Sequence, residues 1–358
     1  MGDGWRPDAA AGDPEGPPPA SGTATDLELV PVRHLVESPV DTVFVLSPGD
    51  RAIVESGASV VVGAPIAERL RDPRLEDKVV TEPVQPRPGD RWHAIGRVVG
   101  AGGGSASRGP HGGEYLFPWR TRWRVATGDI VDPLETPVAG IVRDVRPGTS
   151  ITLRAAGRGI RGIVALGGPT RGRLNMATKP GGGLRSGGLD VGMAGSILVV
   201  DARIDAETLT RARAMGVRGI IVPGMASKER RDYVASEARQ RAALHRLPPF
   251  AVLVMEGATR RPMAGPVMAL LAALVGREVA IVADPPMLIF DAPDVTVPTP
   301  PPDLVRIRTG PLSGSEGRWL GPAGRRRFAG GVDLEAGRVR LADGGAVAIP
   351  LGDLERFA

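Results

Sequence analysis

Apolar positions along the chain follow two different rhythms. In the first part they come as short β-branched runs broken by turn residues. In VDTVFVLSPGDRAIVESGASVVVGAPIAE, Val43, Val45, Ile53 and Val60–Val62 are punctuated by Pro48-Gly49-Asp50 and Gly63. That pattern predicts strands joined by tight turns, and it returns at 127–155 in TGDIVDPLETPVAGIVRDVRPGTSITLRA. From residue 195 the rhythm changes. GSILVVDA (195–202), VRGIIVPG, FAVLVMEG (250–257) and REVAIVAD (277–284) are continuous apolar runs of buried-strand type. Between them lie helical patterns. DAETLTRARAMG (205–216) has Asp205 as N-cap, Leu209, Ala212 and Met215 on one face, and Gly216 at its C-terminus. SKERRDYVASEARQRAALHR (227–246) starts at Ser227, and GPVMALLAALVG follows the third strand. Four apolar strands alternating with three helices predict a doubly wound, Rossmann-like parallel sheet covered on both faces. The tail, from DLVRIRTG to the end, is again a run of short strands, with Asp343-Gly344 as a hairpin turn.

The expected fold class is therefore multidomain α/β plus all-β. The expected modules are a disordered tail at 1–26, a β domain at 27–177 with a flexible insertion at 84–126, and a Gly-rich linker at 178–190. An α/β domain follows at 191–293, then a stiff proline-rich bridge at 294–302 and a small β barrel at 303–358. A length of 358 residues with 50 Gly and 35 Pro agrees with several domains rich in turns.

Two pieces resemble known folds. SPGDRAIVESGASVVVGAPIAE and ETPVAGIVRDVRPGTSITL resemble the two halves of a barrel-sandwich hybrid, the fold of biotin and lipoyl carriers and of Rnf and Nqr electron-transfer subunits. Carriers of that kind hold their cofactor on a Lys at an exposed hairpin tip. Here the one Lys near either half is Lys78, in LEDKVV, without the Met-Lys-Met setting. The resemblance implies the fold and no carrier role. VRIRTGPLSGSEG, with Val305, Ile307, Gly310, Gly314 and Gly317, resembles the KOW motif of NusG-type transcription factors and several ribosomal proteins. That resemblance implies an SH3-like barrel and contact with RNA, ribosomes or the transcription machinery; such barrels also bind proteins.

Composition narrows the chemistry. There is no Cys, which excludes disulfides, thiolate metal sites and cysteine nucleophiles. The four His (His34, His93, His111, His245) are scattered without metal-ligand spacing. Net charge is +5, and three of the 45 basic residues are Lys. An Arg-rich surface suits phosphates, although a genome-wide preference for Arg codons gives the same count. The N-terminal segment lacks the basic and apolar regions of a signal peptide. VMALLAALVG (267–276) is too short to span a bilayer.

GRVVGAGGGSASRG (96–109) begins like a dinucleotide loop but continues into Gly109, Pro110, Gly112, Gly113 and Pro118 instead of a helix, with Ser105 in place of the third glycine. A phosphate loop needs that helix's N-terminal amides, so the nucleotide reading fails. Neither a nucleophile elbow nor a P-loop is present. Two constellations remain. If WRTRWRV (119–125) is one strand, Arg120, Arg122 and Arg124 line one face, with Trp119 and Trp123 on the other, an arrangement that tracks a phosphate backbone and stacks bases. The run Arg325, Arg326, Arg327 is a second basic patch, and Trp319 reads as core. The second constellation is the C-terminal strand edge of the α/β domain, with Asp201, Gly224, Ser227, Glu256, Gly257 and Asp284, where doubly wound sheets bind ligands. In both cases the plainer alternative is solvated arginines and ordinary strand-ending or helix-capping residues. The sequence thus points to a cytoplasmic, non-enzymatic binding or scaffold protein with no cofactor or metal, no membrane insertion, and a protein or RNA partner. The alternative is a small-molecule-binding protein or enzyme acting at the α/β edge.

Overall fold

The structure is a computed structural model. It describes residues 27–46, 50–70, 74–77, 93–94, 113–119, 122–128, 130–177, 184, 189–201, 204–243, 249–258 and 261–358. The expected tail at 1–26, the stretch 96–109, Lys78 and most of 178–190 lie outside these. The chain forms two compact units, Met1–Arg33 with Pro300–Ala358, and His34–Thr299. Strand β1 (Val32–Arg33) belongs to the first.

The larger unit opens with β2 (Val40–Val45), β3 (Arg51–Ala52), β4 (Ser59–Val60) and β5 (Pro65–Leu70). A separate antiparallel sheet of β6 (Arg74–Asp77), β7 (His93–Ala94), β8 (Gly113–Trp119) and β9 (Arg122–Gly128) follows, in the order β6-β9-β8-β7. The second half brings β10 (Ile130–Glu135), β11 (Gly140–Arg146) and β12 (Ser150–Ala155). These pair back to the first half, in sheets ordered β2-β12-β11-β4 and β10-β5-β3. Period-two alternation selects the faces: along β12, Ile151 and Leu153 point inward at 0% and 1% exposure while their neighbours are partly exposed. Both sheets contribute to one apolar core with Phe44, Ile66, Leu134 and Val142.

The next strands are β13 (Arg158–Arg161), β14 (Val164–Gly167) and β15 (Thr170–Met176), then β16 (Ser196–Val199). Helix α1 (Ala206–Ala214), β17 (Gly219–Gly224), α2 (Ser227–Ala243), β18 (Ala251–Gly257), α3 (Gly265–Ala273), β19 (Glu278–Ala283) and β20 (Pro286–Phe290) complete the unit. They build an eight-stranded sheet in the order β13-β20-β19-β15-β16-β17-β18-β14. The expectation of an all-parallel sheet needs correction. Strands β15 to β18 are parallel, but β19 runs antiparallel to β15, and β20, β13 and β14 are antiparallel to their neighbours.

Sequence-level expectations of local structure are met more closely. Asp205 caps α1, its Oδ1 accepting the N–H of Thr208 at 2.6 Å, and Leu209 and Ala212 are fully buried. One face of the parallel strands (Leu198, Ile220, Val222, Val252) packs with α1 and with Tyr233 of α2; the other face (Ile197, Val199, Ile221, Leu253) is also buried. Ala280, Val282, Met287 and Ile289 of β19 and β20 belong to the same core as the small sheets. Of the residues expected as two domains, 27–177 and 191–293, positions 34–177 and 191–293 therefore share a sheet and a core, while 27–33 belong to the smaller unit.

In the smaller unit, β21 (Leu304–Ile307), β22 (Glu316–Arg327), β23 (Asp333–Leu341), β24 (Ala346–Pro350) and β25 (Leu354–Phe357) join β1 in the order β1-β25-β21-β22-β23-β24. Val30, Val305, Ile307, Val339 and Leu354 form its core, with Trp319 packed against it as expected. The Trp319 ring lies where a side chain on residue 337 would be: a Cβ there would fall 1.9 Å from its Cζ3, so the site requires Gly337. Register shifts at Trp319/Gly321 and Pro322/Gly324 bend β22. Among the described residues no ladder joins β24 to β1. The sheet is open where a closed barrel was expected. Among the described residues no helix is long and apolar enough to cross a membrane.

Candidate functional site

The C-terminal edge of the parallel strands brings most of the expected acidic constellation together. Gly224 of β17 pairs with Gly257 of β18, Asp201 lies two residues beyond β16, and Ser227 opens α2. The carboxylates here hold the chain itself. Asp201 Oδ1 accepts the N–H of Met263 and Glu256 Oε1 the N–H of Ala264, each at 3.2 Å. Arg261 donates from Nε to the Glu256 carbonyl at 3.0 Å, and its Nη2 donates to the same oxygen. These contacts fix the segment entering α3, with the buried Glu256 charge near that helix's positive end. Glu229 Oε2 likewise accepts the N–H of Ala226 at 3.0 Å, closing the α2 N-terminus as the third-residue acid of a capping box does. Asp284 does not join the group. Because β19 is antiparallel, its end lies below the N-terminal end of β15. That is some ten residues of strand from Asp201, on the order of 30 Å. Its carbonyl accepts the N–H of Val43 at 2.6 Å and the Thr42 hydroxyl at 3.1 Å. Among the described residues no group of three or more His, Cys, Asp or Glu could hold a metal ion.

The Arg/Trp stretch is not one strand. Trp119 ends β8 and pairs with Arg122 at the start of β9, Pro118 pairs with Trp123, and Phe117 with Arg124. The chain reverses between Trp119 and Arg122, so no continuous 120–122–124 stripe runs along a single strand; Arg120 itself is outside the described residues.

Sequence reasoning missed an open cleft of about 330 Å³ in the larger unit, lined by Val62, Val138, Arg171, Arg277, Glu278 and Asp291 among others. Both of its arginines are in ion pairs: Arg171 Nε with Glu278 Oε2 at 3.1 Å within its walls, and Arg277 with Asp294, which does not line it. At this size it sits at the small end of ligand pockets.

The candidate basic residues of the smaller unit are exposed. Arg325, Arg326 and Arg327 lie at the end of β22, opposite Glu335, Leu334 and Asp333 of β23, so two of the three face a carboxylate across the ladder. Further along the same hairpin, Arg318 stands directly opposite Arg340, and Arg338 is opposite Ala348 of β24; all three arginines are exposed. The alternation Arg338-Val339-Arg340-Leu341 carried the signal for an arginine row on one face. Across the rest of the sheet the charges alternate. Arg306, fully buried, lies 4.0 Å from Glu316 and 3.6 Å from Glu355, which is also 3.6 Å from Arg33. No known family model matches this chain, and no curated protein matches it either.

Proposed function

We propose that the chain is a cytoplasmic, non-enzymatic binding or scaffold protein that engages RNA, or a ribonucleoprotein or transcription assembly, through its C-terminal module. We read that module as KOW-type and SH3-like in plan, and the two small sheets of the larger unit as a barrel-sandwich hybrid. The glycines of the KOW-like stretch support the first assignment. Gly310 and Gly314 have positive φ (+77° and +90°) in the tight turn where the Gly314 N–H meets the Ile307 carbonyl at 2.8 Å. At Gly317 a Cβ would come within 2.5 Å of the Arg340 carbonyl oxygen.

The observation carrying the functional reading is the exposure of six arginines, Arg318, Arg325, Arg326, Arg327, Arg338 and Arg340, on one hairpin, β22–β23. Arginine on a sheet surface presents planar donors suited to phosphate. The acidic edge of the α/β sheet, by contrast, directs Asp201 and Glu256 onto backbone amides. The test is native co-purification of the full chain at low salt, with the bound material split between nuclease and protease digestion. Nuclease-sensitive material that leaves the protein as salt is raised is expected. A preparation free of nucleic acid, together with no binding of added RNA, overturns the reading.

A further inference from the structure

The face of the C-terminal sheet opposite its core is divided by charge, and its exposed β22–β23 side locates a partner surface. Val305, Ile307, Val339 and Leu354 point into the core, so Arg306, Glu316, Arg318, Arg338, Arg340 and Glu355 fall on the opposite face. On the β1–β25–β21 side of that face opposite charges alternate, in the row Glu316, Arg306, Glu355, Arg33. On the β22–β23 side the arrangement inverts. Arg318 and Arg340 oppose one another directly across the ladder, a like-charge placement that destabilises a sheet. Arg318 has one carboxylate nearby, Asp303 Oδ2 at 3.9 Å. Neither Arg338 nor Arg340 has an ion pair among the described residues. The neighbouring acid in sequence, Asp343, turns its Oδ1 onto the Gly345 N–H at 2.9 Å.

Arg318 lies between Leu304 of β21 and Arg340 of β23. Arg338 is flanked across the ladder by Gly321 and Ala348, and Arg340 by Arg318 and Ala346. Arg338 and Arg340 are two residues apart on one strand, about 6.6 Å, the scale of consecutive phosphates on an extended strand. Trp319, beside Arg318 in sequence, turns into the core instead of joining them. We propose that Arg318, Arg338 and Arg340 form a docking shelf for the phosphodiester backbone of an extended single-stranded nucleic acid, read by charge and spacing and not by base. This proposal rests on the RNA-binding reading above and assigns it to a surface separate from the Arg325–Arg327 tip, where Glu335 and Asp333 stand opposite.

The test uses the full chain and fluorescence anisotropy with labelled twelve-nucleotide U-only, A-only and mixed RNAs, and DNA of the same mixed sequence, over a salt series. Wild type should bind all the strands with similar affinity. Replacing the three arginines (R318A/R338A/R340A) should weaken binding at least tenfold and flatten the slope of log affinity against log salt by about 2, from about 0.7 per lost single-strand phosphate contact. The lysine triple (R318K/R338K/R340K) should retain most of the affinity, and R325A/R326A/R327A should lose less than the first triple. Unchanged thermal unfolding of the variants separates lost contacts from lost fold. If wild type binds RNA and R318A/R338A/R340A binds equally, this surface is wrong and the broader reading stands. If wild type binds no strand at all, both fall. If poly-glutamate displaces RNA at equal charge concentration, the occupant is an acidic protein segment and the proposal is overturned.

Discussion

Glu256 is 2% exposed, and its Oε1 accepts the N–H of Ala264 at the entrance to α3. Truncating it would strand a buried amide and leave a void, which costs about 1–3 kcal/mol. Glu256→Ala is therefore expected to lower the free energy of unfolding by that amount in urea denaturation of the full chain at neutral pH. A variant of wild-type stability would return Glu256 to the list of ligand-binding residues. Asp41 offers a test with a defined sign. The hydrogen bonds from the Arg154 guanidinium, at 2.8 Å to each oxygen, hold its carboxyl below the ordinary aspartate range, against a smaller opposing effect of burial. A depressed folded-state value means that the stabilisation is complete above the unfolded value of about 3.9. It is then lost as pH falls through the folded-state value. Asp41→Asn should accordingly shrink the difference from wild type as the solution is acidified below pH 4. A carboxyl titration of Asp41 by NMR should find its midpoint on the acid side of free aspartate.

At the scale of elements, the two faces of β23 make opposite predictions. A methyl group on residue 337 would sit 1.9 Å from the Trp319 ring, so Gly337→Ala should destabilise the smaller unit by about 1–3 kcal/mol, as overpacked cores do. Arg340→Gln, on the other face of the same strand, relieves the repulsion with Arg318 and should hold or slightly raise the melting temperature. Calorimetry of the two variants beside wild type reads both effects. These elements were legible because their chemistry is local: GRVRLADGG alternates inward and outward and then turns at Asp343-Gly344, and Asp205 announces the start of α1. Strand direction was not legible. The apolar run EVAIVA of β19 reads alike in either sense, and only its pairing with β15 fixes it as antiparallel. The reversal between β8 and β9 was hidden for a related reason. The sequence between the two strands, Arg120-Thr121, contains none of the Gly, Asn, Asp or Pro that mark tight turns, so the sequence alone suggests an unbroken strand. The acidic edge was half legible for the same cause: Gly224, Glu256 and Asp201 follow from parallel order, and Asp284 fell on the wrong side with its strand.

At the scale of the molecule, continuity of the core decides how the chain divides. The Gly-rich composition at 178–190 suggested a boundary between a β domain and an α/β domain, yet hydrogen bonds and packing both cross it. β15, upstream, lies in the sheet between β16 and β19, both downstream. β13 pairs with β20, and β14 with β18. Ala280 and Ile289 share a core with Val142 and Leu153. A fragment of residues 191–293 would lose three of its eight strands, leaving unpaired edges on β16, β18, β19 and β20 and exposing the apolar face that met the small sheets. Burial of a single large aliphatic side chain is worth about 1.5–3 kcal/mol, against total stabilities of about 5–15 kcal/mol for a whole domain, so several such losses exceed what a fragment can spare. Residues 34–177 and 191–299 expressed separately should each fail to show a cooperative unfolding transition, while the two mixed should regain one. Residues 34–299 as a single piece should unfold in one step. A cooperative melt of 191–293 alone would restore the two-domain division.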